Sequence, residues 1–414
     1  MRTGWWHMQA GEIVQVLMSP EGRADPYPYY EAARALGPVA HIDGPFYLVT
    51  GYEEANAALR SPAFGKLRAD DPNITAEIDE HPSLRSIGLS VLSANPPDHT
   101  RMRRLMAAVF TPRRTAGLEP AIDATVDRLL DEMAKEGADG SPVDFMERFA
   151  FPLPVSVICE LLGVPPQDRP RFRPLAHDLT ASLELMSDFS ELGPANAATL
   201  ELEEYFRELT ARRRAEPQDD LVSALVQESD DPDGTLSEAE LIANLVLLLV
   251  AGFETTTNLL GNGLALLFEQ PAMAAGLREG RPPVADFVEE VLRFDSPVQL
   301  TSRVTYEKDV RLGGVELPMN AEVLLLLGAA NRDPRRYTDP GTFDPSRPDV
   351  QPLSFGAGAH FCLGSALARL EAATAFRRLL TRFPDLAPAA DQIPVRRDRL
   401  VLRGYHTLPV VLGS

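Results

Sequence analysis

The chain has 414 residues, of which 44% are hydrophobic and 24% are charged, a composition typical of a globular protein with a large core. Its 60 acidic residues outnumber its 40 Lys and Arg residues, and the net charge of −20 argues against nucleic acid or an anionic membrane as the main partner. Two cysteines, Cys159 and Cys362, are too few for a disulfide framework, which favours a reducing cytoplasm. The N-terminus does not resemble a signal peptide, and the longest apolar run, 245–252, is shorter than the roughly 18 residues of a membrane span.

The pattern along the chain predicts one domain over residues 1–414, with a loose N-terminal tail of about 20 residues. Two short strands flank Asp43-Gly44, a dipeptide typical of hairpin turns. Apolar residues then recur at helical spacing over 119–136 and 200–214. The first half of the chain is therefore expected to be mainly helical after an N-terminal hairpin.

The most informative predicted helix begins near Ser237, which forms an S-x-x-E capping box with Glu240, and it stops before Pro271. It is apolar on nearly every side, so we expect it to be buried at the centre of the fold. Its middle nevertheless carries Gly252, Glu254 and three threonines, which a helix built only for core packing would not favour. These residues are therefore candidates for function.

Shorter segments make up the C-terminal part. A helix over 285–294 ends before Pro297, strand-like runs follow it, and another helix is predicted at about 363–382. Helices followed by scattered short strands predict a mainly α, α+β architecture. The βαβ alternation and the glycine-rich phosphate loop of a nucleotide-binding sheet are both missing.

The strongest local signal is the run FGAGAHFCLG at 355–364. Its glycines allow a close approach of the backbone, and Cys362 is predicted to open a helix whose N-terminal N–H groups stabilise a thiolate. Such a thiolate is either a nucleophile, for which His360 could be the base, or the single protein ligand of a haem iron. A buried, inert cysteine is the third interpretation.

This run resembles the haem-binding loop of the cytochrome P450 superfamily, F-G-x-G-x-H-x-C-x-G, and matches every fixed position. The resemblance extends over about residues 20–412 through further motifs. It implies the cytochrome P450 fold, with a long central helix over the haem and small β-sheets. It identifies Cys362 as the axial ligand of the iron of haem b, and it assigns Phe355, His360 and Gly364 to cofactor binding.

Glu290 and Arg293 lie three residues apart on one predicted helix face, so a salt bridge is expected. They match the E-x-x-R motif of the same family. By that resemblance the pair, joined by Arg347, holds the core beneath the haem and has a structural role.

The middle of the long helix, AGFETT at 251–256, resembles the family pattern A-G-x-[D/E]-T-[T/S]. The missing side chain of Gly252 would let a flat macrocycle approach, and a threonine hydroxyl can bond the carbonyl four residues earlier. The resemblance places Ala251 and Gly252 at the cofactor. It assigns Thr255 and Glu254 to oxygen activation.

The segment NPPDHTRMR resembles D-P-P-[E/D]-H-T-x-x-R of bacterial members, with Asn95 where aspartate is usual. His99 and Arg103 lie four residues apart on one predicted helix face, a suitable clamp for a carboxylate. By resemblance they contact the haem propionates together with Arg303 and His360.

The candidate pocket segments are mostly apolar, which predicts a bulky, apolar ligand. They are residues 87–92, 179–186, 247–254, 300–302 and 405–406, and the residues selected from them are Ile87, Leu89, Leu92, Leu179, Leu183, Leu247, Leu300 and Tyr405. Three side chains are candidates to hold a polar group of the ligand, namely His177, Glu184 and His406.

Two groups of arginines are unexpected on so acidic a chain, and they are Arg101, Arg103, Arg104, Arg113 and Arg114, then Arg369, Arg377 and Arg378. Both could simply be solvated faces. In the family fold they lie behind the cysteine, and our hypothesis is that they dock an acidic ferredoxin. The chain contains no flavin or iron–sulfur motif, so the electrons would come from separate proteins and ultimately from NAD(P)H.

The resemblance implies a cytoplasmic, monomeric haem-thiolate monooxygenase that inserts one oxygen atom of O2 into a C–H bond, by hydroxylation or epoxidation. Its substrate would be a bulky secondary metabolite such as a macrolide or polyketide, with neither nucleic acid nor a membrane as partner. One alternative is desaturation, oxidative coupling or action on a carrier-bound peptide. The other is a non-catalytic haem-binding sensor, against which the Glu254–Thr255 pair argues.

Overall fold

The computed structural model describes residues 8–67, 75–185, 188–229 and 236–413. The expected loose tail is therefore tested only from residue 8, and Met186 of the predicted pocket lies outside the described residues. Helices predominate and the strands are short. The predicted mainly α, α+β class is confirmed.

The α-helices are connected by turns, short strands and single 3₁₀ or π turns. They are α1 Ala10–Leu17, α2 Pro20–Ala24, α3 Tyr27–Ala35, α4 Tyr52–Arg60, α5 Thr75–Glu80, α6 Pro82–Gly88, α7 Asp98–Val109, α8 Pro112–Gly117, α9 Glu119–Glu136, α10 Pro152–Leu162, α11 Phe172–Leu179, α12 Gly193–Ala215, α13 Leu221–Ser229, α14 Glu238–Glu269, α15 Pro271–Arg278, α16 Val284–Phe294, α17 Leu327–Ala330 and α18 Ser365–Arg382.

The strands form small sheets. They are β1 Val39–Asp43, β2 Phe46–Val49, β3 Phe64–Gly65, β4 Val143–Asp144, β5 Thr301–Thr305, β6 Val310–Leu312, β7 Val315–Leu317, β8 Glu322–Leu325, β9 Ala387–Pro388, β10 Val395–Arg396, β11 Tyr405–Thr407 and β12 Pro409–Val411. Besides one five-stranded sheet, β4, β12 and β9 pair in a second sheet, while β10–β11 and β6–β7 form two-stranded ribbons.

The five-stranded sheet has the order β1-β2-β8-β5-β3. The predicted hairpin forms its first two strands, with Val39 opposite Val49 and with Gly44 in the turn at φ +50°. Strand β2 runs parallel to β8, and β5 lies antiparallel between β8 and β3. Because Gly65 of β3 pairs with Val304 of β5, the residues that follow β3 lie beside the start of β5.

Helix α14 runs through the main hydrophobic core. The predicted capping box is present, since the Glu240 N–H donates to Ser237 Oγ over 3.2 Å and the Ser237 N–H donates to the Glu240 carboxylate over 2.7 Å. By length and hydropathy this helix could cross a membrane, but 67% of its most apolar 18-residue window is buried inside the protein. It is therefore the core helix that the sequence predicts.

The expectation of a loose N-terminal tail is wrong from residue 10 onward. Residues Ile13 and Leu17 of helix α1 are 0% and 1% exposed, and they pack in a cluster with Tyr29, Tyr30 and Leu48. They lie four residues apart, so one face of this short helix is apolar and can be buried.

The predicted ion pair between Glu290 and Arg293 is present, and both side chains are completely buried. Two guanidinium nitrogens donate to the Glu290 carboxylate, each over 2.7 Å, and Arg347 Nε donates to the same carboxylate over 3.2 Å. Arg293 also donates to three carbonyl oxygens from the segment that follows α17, those of Asn331, Pro340 and Thr342. Every strong donor of Arg293 is therefore used to join α16 to that segment.

Replacing Glu290 with alanine should lower the free energy of unfolding by about 3–5 kcal/mol, because it leaves the buried Arg293 guanidinium without its anion. Chemical denaturation followed by circular dichroism measures the loss. The control is Arg311→Ala, whose pair with Glu316 is 76% and 60% exposed and should contribute less than about 1 kcal/mol. Equal losses in both variants would contradict the argument from burial.

Candidate active site

The cysteine loop, residues 353–364, is built from two 3₁₀ turns and two glycines in the left-handed conformation. Gly356 and Gly358 both have φ of +67°, and a Cβ on Gly358 would lie 2.3 Å from a backbone carbonyl oxygen of helix α4. Only glycine fits that position. The Cys362 N–H donates to the Phe355 carbonyl over 2.9 Å, which closes the loop and fixes where the thiol lies.

The prediction that Cys362 opens a helix is wrong, because α18 begins at Ser365 with Gly364 as its N-cap residue. The Gly364 N–H bonds the cysteine sulfur, and Arg103 and Arg369 add positive charge near it. Burial outweighs these effects and raises the pKa of the Cys362 thiol. Coordination to a metal ion would keep this sulfur as a thiolate, since coordination deprotonates a thiol.

Five basic side chains, here called the basic cluster, converge beside the cysteine loop, and they are Lys66, His99, Arg103, Arg303 and His360. The ring centroids of His99 and His360 are 4.0 Å apart. Burial, followed by the charges of His99 and Arg303, lowers the pKa of His360 to about 2. Burial lowers the pKa of Arg303 to about 10, and burial together with Arg303 lowers the pKa of Lys66 to about 7. The structure thus brings together the four residues predicted here and adds Lys66.

Within the residues described, no carboxylate bonds to the basic cluster. Arg303 donates to a neighbouring carbonyl over 2.8 Å, and Lys66 donates to a threonine hydroxyl over 3.3 Å. His99 Nε2 is buried and has no hydrogen-bond partner in the described part of the chain. Buried bases whose charged forms are disfavoured in this way constitute a site for an anion. The two carboxylates of a haem fit this donor set, with the Cys362 thiol within reach of the Arg103 charge.

The sequence did not predict a role for Lys66, because no local pattern marks this residue. It follows β3, and the pairing of β3 with β5 places it near Arg303. The Asn95 side chain holds its peptide group, since Oδ1 accepts the Lys66 N–H and Nδ2 donates to the Lys66 carbonyl, both over 2.8 Å. A carboxylate could not donate the second bond, which accounts for an amide at this position.

One face of α14 presents Leu247, Ala251 and Thr255, which are spaced by four residues. The Thr255 hydroxyl donates to the Ala251 carbonyl over 2.9 Å, and Ala251 is exposed although it lies in the middle of the helix. A Cβ on Gly252 would lie 2.9 Å from the Ile158 side chain, so the missing side chain lets helix α10 pack closely against α14. The expected place of Gly252 at the cofactor stays a prediction.

Glu254 is 1% exposed and accepts a hydrogen bond from the Arg397 guanidinium, which follows β10. Burial raises the pKa of Glu254, and the charges of Arg397 and Arg399 oppose that effect. The acid predicted to relay protons is therefore held in an ion pair. The sequence offered no sign of Arg397, because 143 residues separate it from its partner.

A cavity beside α14 contains four of the eight predicted pocket residues, and its lining is Ser86, Ile87, Leu179, Leu183, Ala243, Val246, Leu247 and Val250. The other four predicted residues are not part of this lining. Leu300 and Tyr405 are 5% and 8% exposed and pack into the hydrophobic clusters, whereas Leu89 is 38% exposed at the surface. Leu92 is half-buried and does not line the cavity.

The three candidate polar anchors have other environments. The Glu184 carboxylate accepts hydrogen bonds from the N–H groups of residues 400–402, so it is not free to bind a ligand. The His177 and His406 rings lie 6.5 Å apart, and neither lines the cavity. Burial, then the charges of two nearby arginines, lowers the pKa of His177.

Half of the arginines in the two groups are neutralised. Acidic partners bind four of the eight, in the pairs Arg101–Glu240, Arg114–Asp219, Arg369–Glu289 and Arg378–Asp123. Arg369 also lies 4.5 Å from the ring centroid of Phe355, beside the cysteine loop. Among the described residues, Arg104, Arg113 and Arg377 are exposed and have no acidic partner.

A thiol fixed by a glycine loop, next to a site for two carboxylates, defines the haem-thiolate class of proteins. The family model for "Cytochrome P450" matches residues 48–405. The chain is 42% identical over 375 residues to cytochrome P450 107B1 of Saccharopolyspora erythraea, covering 89% of each chain, and 38% identical over 412 residues to 6-deoxyerythronolide B hydroxylase of the same organism, covering 96% and 98%.

A solved structure of P450BioI in complex with a fatty-acyl acyl carrier protein superimposes with a TM-score of 0.86 at 36% identity, covering 95% of this chain and 100% of that one. The chain therefore belongs to the cytochrome P450 family, and it is a monooxygenase of the bacterial class that includes these relatives. Family membership implies haem iron and the use of O2.

Replacing Lys66 with methionine should weaken haem binding by about tenfold or more, because it removes a charge-assisted hydrogen bond to a carboxylate. At about pH 8 the native chain should take up about one more proton on haem binding than Lys66→Met does, since a lysine with a pKa of about 7 is mostly neutral before the anion arrives and charged afterwards, whereas the proton released by Cys362 is the same in both chains. Titration of the apoprotein with haem, followed by absorption and by a pH indicator, measures both. Lys308→Met, exposed after β5, should behave like the native chain, and unchanged proton uptake in Lys66→Met would refute the assignment.

Proposed function

We propose that this monooxygenase inserts one oxygen atom of O2 into a C–H bond of a bulky, mostly apolar secondary metabolite such as a macrolide or polyketide. The observation that supports this best is the face of α14, where Leu247 of an apolar cavity and the Thr255 hydroxyl lie two turns apart. A substrate in that cavity would be next to the helix that carries the oxygen-activation motif. Hydroxylation is the principal reaction, and epoxidation requires only a double bond at the same place.

The residues that would hold haem b are Cys362 at the iron and the basic cluster at the propionates. When bound, the haem supplies the binding and activation of O2. One oxygen atom enters the product and the other leaves as water, which consumes two electrons and two protons. The electrons come from NAD(P)H through a ferredoxin reductase and a ferredoxin.

Thr255 and Glu254 are the residues that would manage the protons. The Thr255 hydroxyl, which donates to the Ala251 carbonyl, can accept a hydrogen bond from water on the cavity side and orient it. Burial raises the pKa of Glu254, and the charge of Arg397 opposes that effect, so loss of the Arg397 pair favours the protonated acid. The two residues thereby provide an orienting hydroxyl and a proton store on adjacent positions of one helix.

The lining of the cavity supports an apolar substrate. Seven of its eight residues are alanine, valine, leucine or isoleucine, and Ser86 is the exception. The Ser86 hydroxyl is buried without a hydrogen-bond partner among the described residues. A substrate with one polar group within a hydrocarbon framework would satisfy both features.

A carrier-bound substrate is the second candidate. It is favoured by the similarity to P450BioI, whose solved complex contains an acyl carrier protein. Product analysis with free and with carrier-tethered forms of the same compound separates the two candidates, and it also detects desaturation or oxidative coupling. The sensor alternative has no support, because the relatives include named monooxygenases and hydroxylases.

The ferredoxin would dock on the face that carries Arg104, Arg113 and Arg377. These three guanidinium groups are exposed without acidic partners in the described residues, whereas ion pairs already occupy four of the other predicted arginines. An unneutralised basic surface on a chain of net charge −20 attracts an acidic partner and speeds encounter. We place the protein in the cytoplasm as a monomer.

The function is tested with labelled dioxygen, a candidate metabolite and the reconstituted electron-transfer proteins. The native enzyme should give product that carries one labelled oxygen atom. Thr255→Ala should divert the reducing equivalents to peroxide and lower product per NAD(P)H by about tenfold or more, because water is no longer oriented for proton transfer.

Thr256→Ala is the matched control, since that hydroxyl bonds the Gly252 carbonyl and is 2% exposed, away from the cavity face. It should leave the product yield near the native value. Unlabelled product from the native enzyme would refute the proposed function, and unchanged coupling in Thr255→Ala would remove Thr255 from it.

Reversing the charge at Arg104 and Arg113 should slow electron transfer from ferredoxin by about tenfold at low salt and flatten its salt dependence. Stopped-flow reduction in the presence of carbon monoxide measures the rate. Arg311→Glu, outside both arginine groups and itself exposed, should leave the rate unchanged. If the double variant and the control react at the same rate, the ferredoxin binds elsewhere.

A further inference from the structure

The loop between β10 and β11, residues 397–404, is here called the arginine loop. It is closed by the Arg397 N–H, which donates to the Gly404 carbonyl over 3.0 Å. It is fastened to the start of β5 by the Gln299 N–H, which donates to the Val401 carbonyl over 2.9 Å. Its two ends are thus held while its first side chain points to α14.

That first side chain, Arg397, connects the arginine loop with α14. Its guanidinium donates to the Glu254 carboxylate and, through Nε, to the Tyr405 carbonyl over 3.2 Å. The Arg397 and Glu254 side chains are 11% and 2% exposed. The ion pair is therefore shielded from water, and its geometry follows the position of the loop.

The Glu184 carboxylate accepts hydrogen bonds from the backbone of the arginine loop at residues 400–402. One oxygen accepts the N–H groups of Leu400 and Val401, each over 2.8 Å, and the other accepts the N–H of Leu402 over 3.1 Å. Three successive backbone N–H groups around one carboxylate form an anion-binding nest. The N–H groups of residues 400–402 are held by Glu184, whereas the Val401 carbonyl accepts from the Gln299 N–H, so Glu184 anchors one of the two sides of the arginine loop.

Glu184 is the neighbour in sequence of a residue in the wall of the apolar cavity. It directly follows the 3₁₀ turn Thr180–Leu183, and Leu179 and Leu183 line the cavity. A ligand that displaces those two leucines must move the residue that holds the arginine loop. The cavity wall, the loop and the α14 acid therefore form a continuous chain of contacts.

We propose that Glu184 is a positioning residue for proton delivery, which acts through Arg397 to hold Glu254 in its ion pair until substrate moves the cavity wall. This inference rests on the proposed role of Glu254 in proton transfer. Withdrawal of Arg397 leaves a buried carboxylate that is more stable with a proton bound, so Glu254 takes up one proton from water and can pass it on toward the Thr255 side of the helix. No electron moves in this step.

The test uses the haem-loaded enzyme and compares Glu184→Ala, Glu184→Gln and Glu191→Ala. The last is the matched control, because Glu191 lies in the neighbouring turn Phe189–Leu192 and is exposed. Amide hydrogen exchange without substrate should be at least severalfold faster at residues 400–402 in Glu184→Ala, intermediate in Glu184→Gln and native in Glu191→Ala. Haem content and the ligand-induced spectral shift report whether each variant folds and binds.

The catalytic readouts are the ratio of product to peroxide and the solvent isotope effect on turnover at saturating substrate. Both should change in Glu184→Ala, and adding Glu184→Ala to Arg397→Ala should change neither further, because the two residues act on the same carboxylate. Faster exchange at 400–402 with a native product ratio and isotope effect would show that Glu184 is only structural and would overturn the proposal. Unchanged exchange would overturn it as well. A native enzyme that forms no oxygenated product would instead refute the proposed function itself.

Discussion

Positive charge beside the cysteine loop, which no carboxylate of the described residues pairs with, is the constraint on which the active site depends. His99 and Arg303 are buried and Lys66 is half-buried, each with few hydrogen bonds among the described residues, and removal from water lowers the pKa of each of them. Removing charged groups from water is costly unless an anion accompanies them. The cluster is therefore stable in its charged form only together with bound carboxylates, and it orients any planar group that carries them with respect to Cys362.

A short chain of hydrogen bonds joins the buried ion pair of α16 to the cysteine loop. Arg293 donates to the Asn331 carbonyl over 3.1 Å, and the Asn331 side chain accepts the Leu353 N–H over 2.7 Å and donates to Ser354 Oγ over 3.0 Å. Ser354 in turn donates to the Leu292 carbonyl over 2.5 Å. Ser354 therefore joins the cysteine loop to the helix that carries the ion pair.

Neighbouring residues of α14 serve different surroundings because each residue turns the helix by about 100°. Ala251 and Thr255 share the cavity face, Gly252 allows α10 to pack closely, and Glu254 points to Arg397. A single turn of an otherwise apolar core helix thus carries an orienting hydroxyl, a close helix contact and a buried acid. The arginine loop connects that acid with Glu184, next to the cavity wall.

The sequence by itself determined the features that depend on near neighbours. The capping box of α14, the hairpin at Gly44, the glycines before Cys362 and the spacing of Glu290 and Arg293 are local, because each depends on residues within about four positions. Local patterns of this kind predicted helices such as α9, α14, α16 and α18 and the mainly α, α+β class. The residues around the cysteine came from the resemblance of local motifs to the family.

Only the tertiary structure decided which distant residues meet. Lys66 reaches Arg303 through the pairing of β3 with β5, and Arg397 reaches Glu254 across 143 residues. The close contact between Gly252 and Ile158 and the hydrogen bonds from the arginine loop to Glu184 likewise depend on packing between separate elements. Contacts of this kind are set by strand register and helix packing, which no spacing within one segment of the sequence encodes.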